Sequence, residues 1–261
     1  MRYAFVGLGN MASAIIRGMH ASSAYAQAEL YGYDRHPEKA ADLPVTYCPS
    51  MEDLAENADL LLLCVKPYSL EDLLRRLRPL LKKNCIIASV AAGKPIAWYE
   101  ERLPGFPMIR TMPNVNASVN AGVTAVCGGT LATPEQVESV RAIFDAIGAT
   151  YLLEEKHFSV FSAIAGAAPA YTYLYMDALA SAGVKAGLPK STALAIAADM
   201  VLGSALLIKK TSEHPAALAD KVCSPGGTTI EGLHKLRALG FENSVYEAIA
   251  AVIEKDQLIS G

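Results

Sequence analysis

The sequence has 261 residues, of which 52% are hydrophobic, 19% charged and 7% aromatic; this excludes a disordered chain and leaves room for one large domain or two modest ones. The formal net charge is −3 and no Lys/Arg run exceeds a doublet, so a nucleic-acid partner is not expected. Met1-Arg2 leads straight into a strand-length apolar run with no cleavage site. The longest apolar stretch, 193–208, is broken by Asp199 and falls short of the roughly 20 residues of a spanning helix. No signal, no membrane segment and a cytoplasmic setting are therefore expected.

Along the chain, apolar runs at 3–6, 30–34, 60–65, 85–90, 108–112, 123–127 and 150–153 read as strands, most of them bounded by Gly, Pro or Asn. Their near-continuous apolarity suits strands buried on both faces of a parallel sheet. Between them, 11–21, 70–81 and 135–147 carry helical spacing, and Thr133-Pro134-Glu135 starts the last of these with proline in the first turn.

The first strand runs directly into Gly7-Leu8-Gly9-Asn10-Met11-Ala12, which fits G-x-G-x-x-(G/A) between a strand and a helix. The first glycine permits the tight turn and the second lets a pyrophosphate approach the backbone. Ala12 allows close helix–strand packing, and the helix N-terminus faces the phosphate charge. Asp34, at the end of the next strand, is placed to bind adenosine ribose hydroxyls and to repel a 2′-phosphate, whereas the adjacent Arg35 would attract one. The cofactor is therefore NADPH or NADH, with both choices open. Lys66 follows the 60–65 run at the carboxyl end of a strand, the face where such sheets bind ligands.

From Phe158 onward no strand is expected, and Ala, Leu and Gly recur at helical spacing in 178–186, 191–210 and 244–255. Small residues such as Gly183, Gly187, Gly203 and Ala205 let helices approach closely, either within the chain or across to a second copy. The expected fold is α/β: a Rossmann-type domain with a mostly parallel sheet at 1–153, followed by an all-helical domain at 154–261.

Within the helical part, Ser224-Pro225-Gly226-Gly227-Thr228-Thr229 breaks the pattern. Pro225 biases Ser224 toward extended geometry, and the glycine pair allows positive φ. Thr228 with Glu231 is expected to form a capping box, which places Thr229 at the first helical position with its hydroxyl free. The first amides of that helix can bind an anion. His20, His36, His157, His214 and His234 share no catalytic spacing, and no carboxylate pair stands out. Cys48, Cys64, Cys85, Cys127 and Cys223 lack metal-ligand spacing and read as reduced, mostly buried thiols, so no metal is expected.

These motifs, in this order, resemble the pyrroline-5-carboxylate reductase family over essentially the whole chain. The matching segments are the 7–12 turn, Val65-Lys66-Pro67, Ser89-Val90-Ala91-Ala92-Gly93, Ile109-Arg110-Thr111-Met112-Pro113-Asn114, Gly187-Leu188-Pro189, and above all 224–229. The resemblance implies a helical domain that interlocks with a partner chain, giving a homodimer or an assembly of dimers. It also implies reduction of 1-pyrroline-5-carboxylate to L-proline without a metal. By position, Thr229 would hydrogen-bond the ring nitrogen, while Ser224, Gly226, Gly227 and Thr228 hold the substrate carboxylate. Val65, Lys66, Pro67, Ala91, Met112, Pro113 and Asn114 would line the ribose and nicotinamide end of the cofactor.

The chain departs from the family pattern at three places, four residues in all. Ala167-Ala168 stand where it has a serine and a glycine, Asn116 where it has proline, and Met51 where it has a loop asparagine. Two other readings stay open at this point: a reductase of a different cyclic imine, and a non-catalytic cofactor-binding paralogue.

Overall fold

A computed structural model describes residues 1–260. They form two compact units, Met1–Gly166 joined by the C-terminal segment from Ile253, and Ala167–Val252. In chain order the first unit contains β1 (Arg2–Val6), α1 (Asn10–Ala21), β2 (Glu29–Tyr33), β3 (Thr46–Tyr47), α2 (Met51–Glu56), β4 (Leu60–Leu63) and α3 (Leu70–Leu77). It continues with β5 (Ile86–Ser89), α4 (Ile96–Arg102), β6 (Met108–Pro113), β7 (Gly122–Gly128), α5 (Pro134–Asp145) and β8 (Gly148–Leu152). One sheet holds all eight strands in the order β3-β2-β1-β4-β5-β6-β7-β8. Every neighbouring pair is parallel except β6–β7. This is the expected Rossmann-type α/β arrangement.

The apolar runs are continuous because both faces of the sheet are covered. Leu60, Leu61, Leu62 and Leu63 are all fully buried, and alternate members point to opposite sides. Leu60 and Leu62 join Phe5, Ile15, Ile143 and Phe144 beneath α1 and α5. Leu61 and Leu63 join Leu54, Leu74 and Tyr99 beneath α2, α3 and α4.

Boundaries moved for local reasons. The strand expected over 60–65 ends at Leu63, because beyond Cys64, whose amide still donates to the Val6 carbonyl at 2.9 Å, the chain turns away toward Pro67. The helix expected over 70–81 ends at Leu77: Arg78 keeps helical backbone and its amide still donates to the Leu74 carbonyl at 2.9 Å, but Pro79 has no amide with which to continue the ladder. The short elements β3, α2 and α4 were not foreseen. At two, six and seven residues they are too brief for a periodic signal. Tertiary packing and the Ser50 cap, whose Oγ accepts the Asp53 amide at 3.1 Å, hold α2 in place.

After β8 the described residues contain no strand. The helices are α6 (Phe158–Phe161), α7 (Ala168–Lys185), α8 (Lys190–Thr211), α9 (Pro215–Val222), α10 (Thr228–Ala238) and α11 (Phe241–Ser260), with a π-helical turn over Ser162–Ala167. In the second unit Gly183 lies so close to α8 that a Cβ there would meet the Ala193 Cβ at 2.9 Å.

Of the 22 residues of α8 only Ala193 and Ala197 are buried, and Ile196, Leu202 and Leu206 are exposed. Contrary to the estimate from the stretch 193–208, which Asp199 breaks, α8 as a whole is long and apolar enough to cross a membrane by length and composition. All five cysteines are unpaired. Only Cys48 and Cys85 are buried, whereas Cys64, Cys127 and Cys223 are half-buried, so the expectation of mostly buried thiols holds for two of the five.

Candidate active site

The site at the sheet begins with the turn after β1. Gly7 sits at φ +88°, a conformation costly to any residue with a side chain, and a Cβ there would lie 2.8 Å from the Cys64 carbonyl oxygen. Its amide donates to the Tyr33 carbonyl at 2.8 Å, so the turn is tied to the end of β2. Gly9 is the N-cap of α1, with no side chain capping the helix and no acid in its first turn. A Cβ on Gly9 would point into open space, which leaves room for a group to approach the free first-turn amides. A pyrophosphate fits this cradle.

Leu8 and Ala12 face inward and pack in the core. The Leu8 amide is spent on Asp34, donating to Oδ2 at 2.8 Å. Asn10 is exposed and Met11 is half-buried.

A cleft of about 580 Å³ opens where the strand order reverses between β1 and β4, the switch point at which such sheets bind ligands. Gly7, Gly9, Asp34, Arg35, Val65 and Lys66 line it, as does Met51, whereas Ala91, Met112, Pro113 and Asn114 do not. Sequence reasoning missed the polar residues His36, Lys39, Tyr68, Asp72 and Arg76, which also line it. An acid five residues ahead of a lysine across Pro37 was the available signal for Lys39.

Asp34 is 9% exposed. Burial alone would raise its pKa, but hydrogen bonds from the Leu8 and His36 amides and from the Lys39 ammonium outweigh it, and the carboxyl titrates below its ordinary range.

Further along the sheet, Ser89 Oγ and Tyr99 OH lie 2.8 Å apart in the core, and the Ala91 amide donates to Ser89 Oγ at 3.2 Å. Burial pushes the Tyr99 phenol up to about 12. Asn114 is 5% exposed and has a full set of internal partners: Oδ1 accepts the Val123 amide at 3.0 Å and Nδ2 donates to the Ala165 carbonyl at 2.9 Å. On β6, which leads into Asn114, Arg110 pairs with Glu155 at 2.8 Å and stacks over the Phe158 ring at 4.6 Å.

In the second unit, Ser224-Pro225-Gly226-Gly227 forms a turn closed by the Gly227 amide donating to the Ser224 carbonyl at 2.9 Å. Proline at its second position and Gly226 at φ +68° in its third make it type II. The expected capping box is absent. Gly227 is the N-cap of α10 at φ −79°, ψ 168°, no side chain caps the helix, and Thr228 and Thr229 are its first and second residues. Because the Gly227 amide closes the preceding turn on the Ser224 carbonyl, Gly227 itself becomes the cap and both threonines fall one place further into the helix. The first amides of α10 therefore have no side-chain partner, and Ser224, Thr228 and Thr229 are exposed around them. No cluster of three or more metal-ligating side chains occurs among the described residues.

An uncapped glycine turn at the switch point of a doubly wound sheet defines a dinucleotide-binding protein of the Rossmann class. Residues 2–93 match the family model described as NADP oxidoreductase coenzyme F420-dependent, and residues 155–259 match pyrroline-5-carboxylate reductase dimerisation. The pyrroline-5-carboxylate reductase of Escherichia coli (strain K12) is 36% identical over 98% of this chain and 97% of its own length. The crystal structure of 1-pyrroline-5-carboxylate reductase from Streptococcus pyogenes is 39% identical, covers 98% of each chain and superposes with a TM-score of 0.88. The Plasmodium falciparum pyrroline carboxylate reductase crystallised with NADP bound is 28% identical, covers 100% of this chain and 98% of its own, and gives a TM-score of 0.89. The chain belongs to the pyrroline-5-carboxylate reductase family.

Proposed function

We propose that the chain reduces 1-pyrroline-5-carboxylate to L-proline with NADPH or NADH. The observation that carries this reading is the start of α10: a type II turn hands the chain to a glycine cap, leaving the first backbone amides without a side-chain cap and two exposed threonines beside them.

In this reading Ser224 and the amides following Gly226 hold the substrate carboxylate, with Gly227 and Thr228 forming the cradle. The Thr229 hydroxyl hydrogen-bonds the ring nitrogen, donating to a neutral imine or accepting from the iminium N–H. The Gly7–Gly9 turn and the first turn of α1, from Asn10 to Ala12, carry the cofactor pyrophosphate. Asp34 and Arg35 lie at its adenosine end. Val65, Lys66, Pro67, Ala91, Met112, Pro113 and Asn114 wall its ribose and nicotinamide end, several of them through backbone. When bound, the dihydronicotinamide supplies the hydride. An iminium carbon is already electrophilic and its nitrogen already carries the proton, so the protein has to orient and stabilise charge more than to act as a strong acid or base. The lack of a triad in the sequence agrees with that demand.

In this reading the division of labour falls at residues 153 and 154, supported by the dimerisation match that begins at residue 155, while the compact units part at 166 and 167. The exposed apolar residues of α7 and α8 are covered by a second copy in a homodimer or an assembly of dimers, a reading supported by the dimerisation model that matches this region. A cytoplasmic setting is consistent with the unpaired thiols.

Purified protein given 1-pyrroline-5-carboxylate and either cofactor is expected to consume the dihydronicotinamide and yield L-proline in equal amounts. No turnover with either cofactor would defeat the reading.

A further inference from the structure

The sequence leaves Asp34 and Arg35 pulling cofactor choice in opposite directions, and the structure shows what decides between them. Asp34 does not face the cleft as a free carboxylate. Its oxygens accept four hydrogen bonds: from the Leu8 amide at 2.8 Å, from the His36 amide at 3.0 Å, and from Lys39 Nζ at 3.2 Å on each oxygen. A carboxylate offers about four lone-pair positions, so none is left for ribose hydroxyls. Its charge is matched by an ammonium that is itself part of the cleft wall.

The other carboxylate in the lining, Asp72, is paired with Arg75. Arg35, Lys66 and Arg76 also line the cleft, and none has a carboxylate partner among the described residues. His36, 3.4 Å from Glu38, completes the adenosine side. With both acids neutralised and three cations unmatched, the cleft carries an excess of positive charge. The pyrophosphate of a dinucleotide offsets part of it, and a 2′-phosphate brings roughly two further negative charges.

We propose that Lys39 is the specificity-determining residue of the cofactor site: by occupying Asp34 it cancels the repulsion that an acid at this position exerts, and with Arg35 it holds a 2′-phosphate, so the protein selects NADPH over NADH. This rests on the dinucleotide being the cofactor of the reductase reading, but it concerns the adenosine end alone and can be tested without the substrate.

The test is calorimetric titration of the whole protein with 2′,5′-ADP and with 5′-ADP, followed by the same titrations on Lys39→Met, Lys39→Arg and Arg35→Ala. The wild-type protein is expected to bind 2′,5′-ADP at least tenfold more tightly than 5′-ADP. In Lys39→Met, Asp34 is bared and the preference should vanish or reverse, while affinity for 5′-ADP stays within about twofold. Lys39→Arg should keep the preference, and Arg35→Ala should reduce it. Thermal melts check that each variant is folded, and the Lys39→Arg titration carries the test if Lys39→Met does not fold. Equal binding of the two ligands by the wild-type protein would overturn the proposal, and so would an equal loss for both in Lys39→Met. Turnover of 1-pyrroline-5-carboxylate that favours NADH would overturn it and leave the reductase reading standing. Discrimination between the two ligands without any turnover would sustain it and count against that reading.

Discussion

The side-chain amide of Asn114 donates to the carbonyl of Ala165 at 2.9 Å, joining the end of β6 to the π-helical turn that precedes α7. A π-turn interrupts the regular helical ladder, and here one of its carbonyls finds a partner in Asn114 instead. The same amide accepts the Val123 N–H, so one buried side chain secures a strand and a helix. Asn114→Ala would leave the half-buried Val123 amide and Ala165 carbonyl without this partner, and is expected to destabilise the protein by about 1–2 kcal/mol. Urea denaturation measures this, and a loss below about 0.5 kcal/mol would show that the clamp contributes little.

The two glycines of the cofactor turn should separate folding from binding. Gly7→Ala places a methyl against the Cys64 carbonyl at an unfavourable φ and should cost about 1–3 kcal/mol of stability. Gly9→Ala meets no protein atom, so its melting temperature should hardly change while the methyl blocks the pyrophosphate. Thermal melts paired with cofactor titration would show this; a Gly9→Ala protein with unchanged cofactor affinity contradicts the pyrophosphate assignment.

Glu155 accepts from the Arg110 guanidinium at 2.8 Å and from the Ile96 amide at 2.7 Å, while Arg110 is 6% exposed and its Nε has no partner. Glu155→Ala leaves that cation buried and unpaired, with an expected cost of about 3–5 kcal/mol. Adding Arg110→Met should recover part of the loss, because the charge that needed a partner is gone. A double variant less stable than Glu155→Ala would show that Arg110 stabilises by some means other than the pair.

Asp34 gives a pH dependence of known sign. Its folded pKa lies below the unfolded value of about 3.9, so its contribution to stability is present above that value and fades as pH falls through the lower, folded one. The stability gap between wild type and Asp34→Asn should be constant near neutrality and shrink only below about pH 4. A gap that instead changes between pH 6 and 8 would point to a neighbouring group.

Thr229→Ala is expected to lower turnover while leaving cofactor affinity nearly unchanged, because the hydroxyl is assigned to the substrate nitrogen. Thr229→Ser, which keeps the hydroxyl, should retain most of the activity. Wild-type kinetics in the alanine variant would remove Thr229 from the mechanism.

The parallel sheet was legible in the sequence because Leu60 to Leu63 and similar runs are buried on both faces, and the dinucleotide turn because its glycines answer to strict steric demands at fixed places. Brief elements such as α2 were not legible, since six residues held by tertiary packing leave no periodic trace. The cap of α10 was misplaced by one residue because Thr-x-x-Glu satisfies the capping-box pattern. What excludes Thr228 from the cap is the closure of the preceding turn by Gly227, a backbone event. Lys39 was overlooked for a related reason. Its spacing from Asp34 across Pro37 was visible, but its reach to that carboxylate depends on the short helical turn over Pro37–Ala40 folding the chain back, which spacing alone does not establish.

The most direct test of the central claim, hydride delivery to a cyclic imine carbon, follows the hydrogen itself. With dihydronicotinamide deuterated at the transferring position of C4 and 1-pyrroline-5-carboxylate as substrate, the product should be L-proline carrying one deuterium on C5, the former imine carbon. Proline without deuterium at that carbon, or oxidation of the cofactor without any proline, would contradict it.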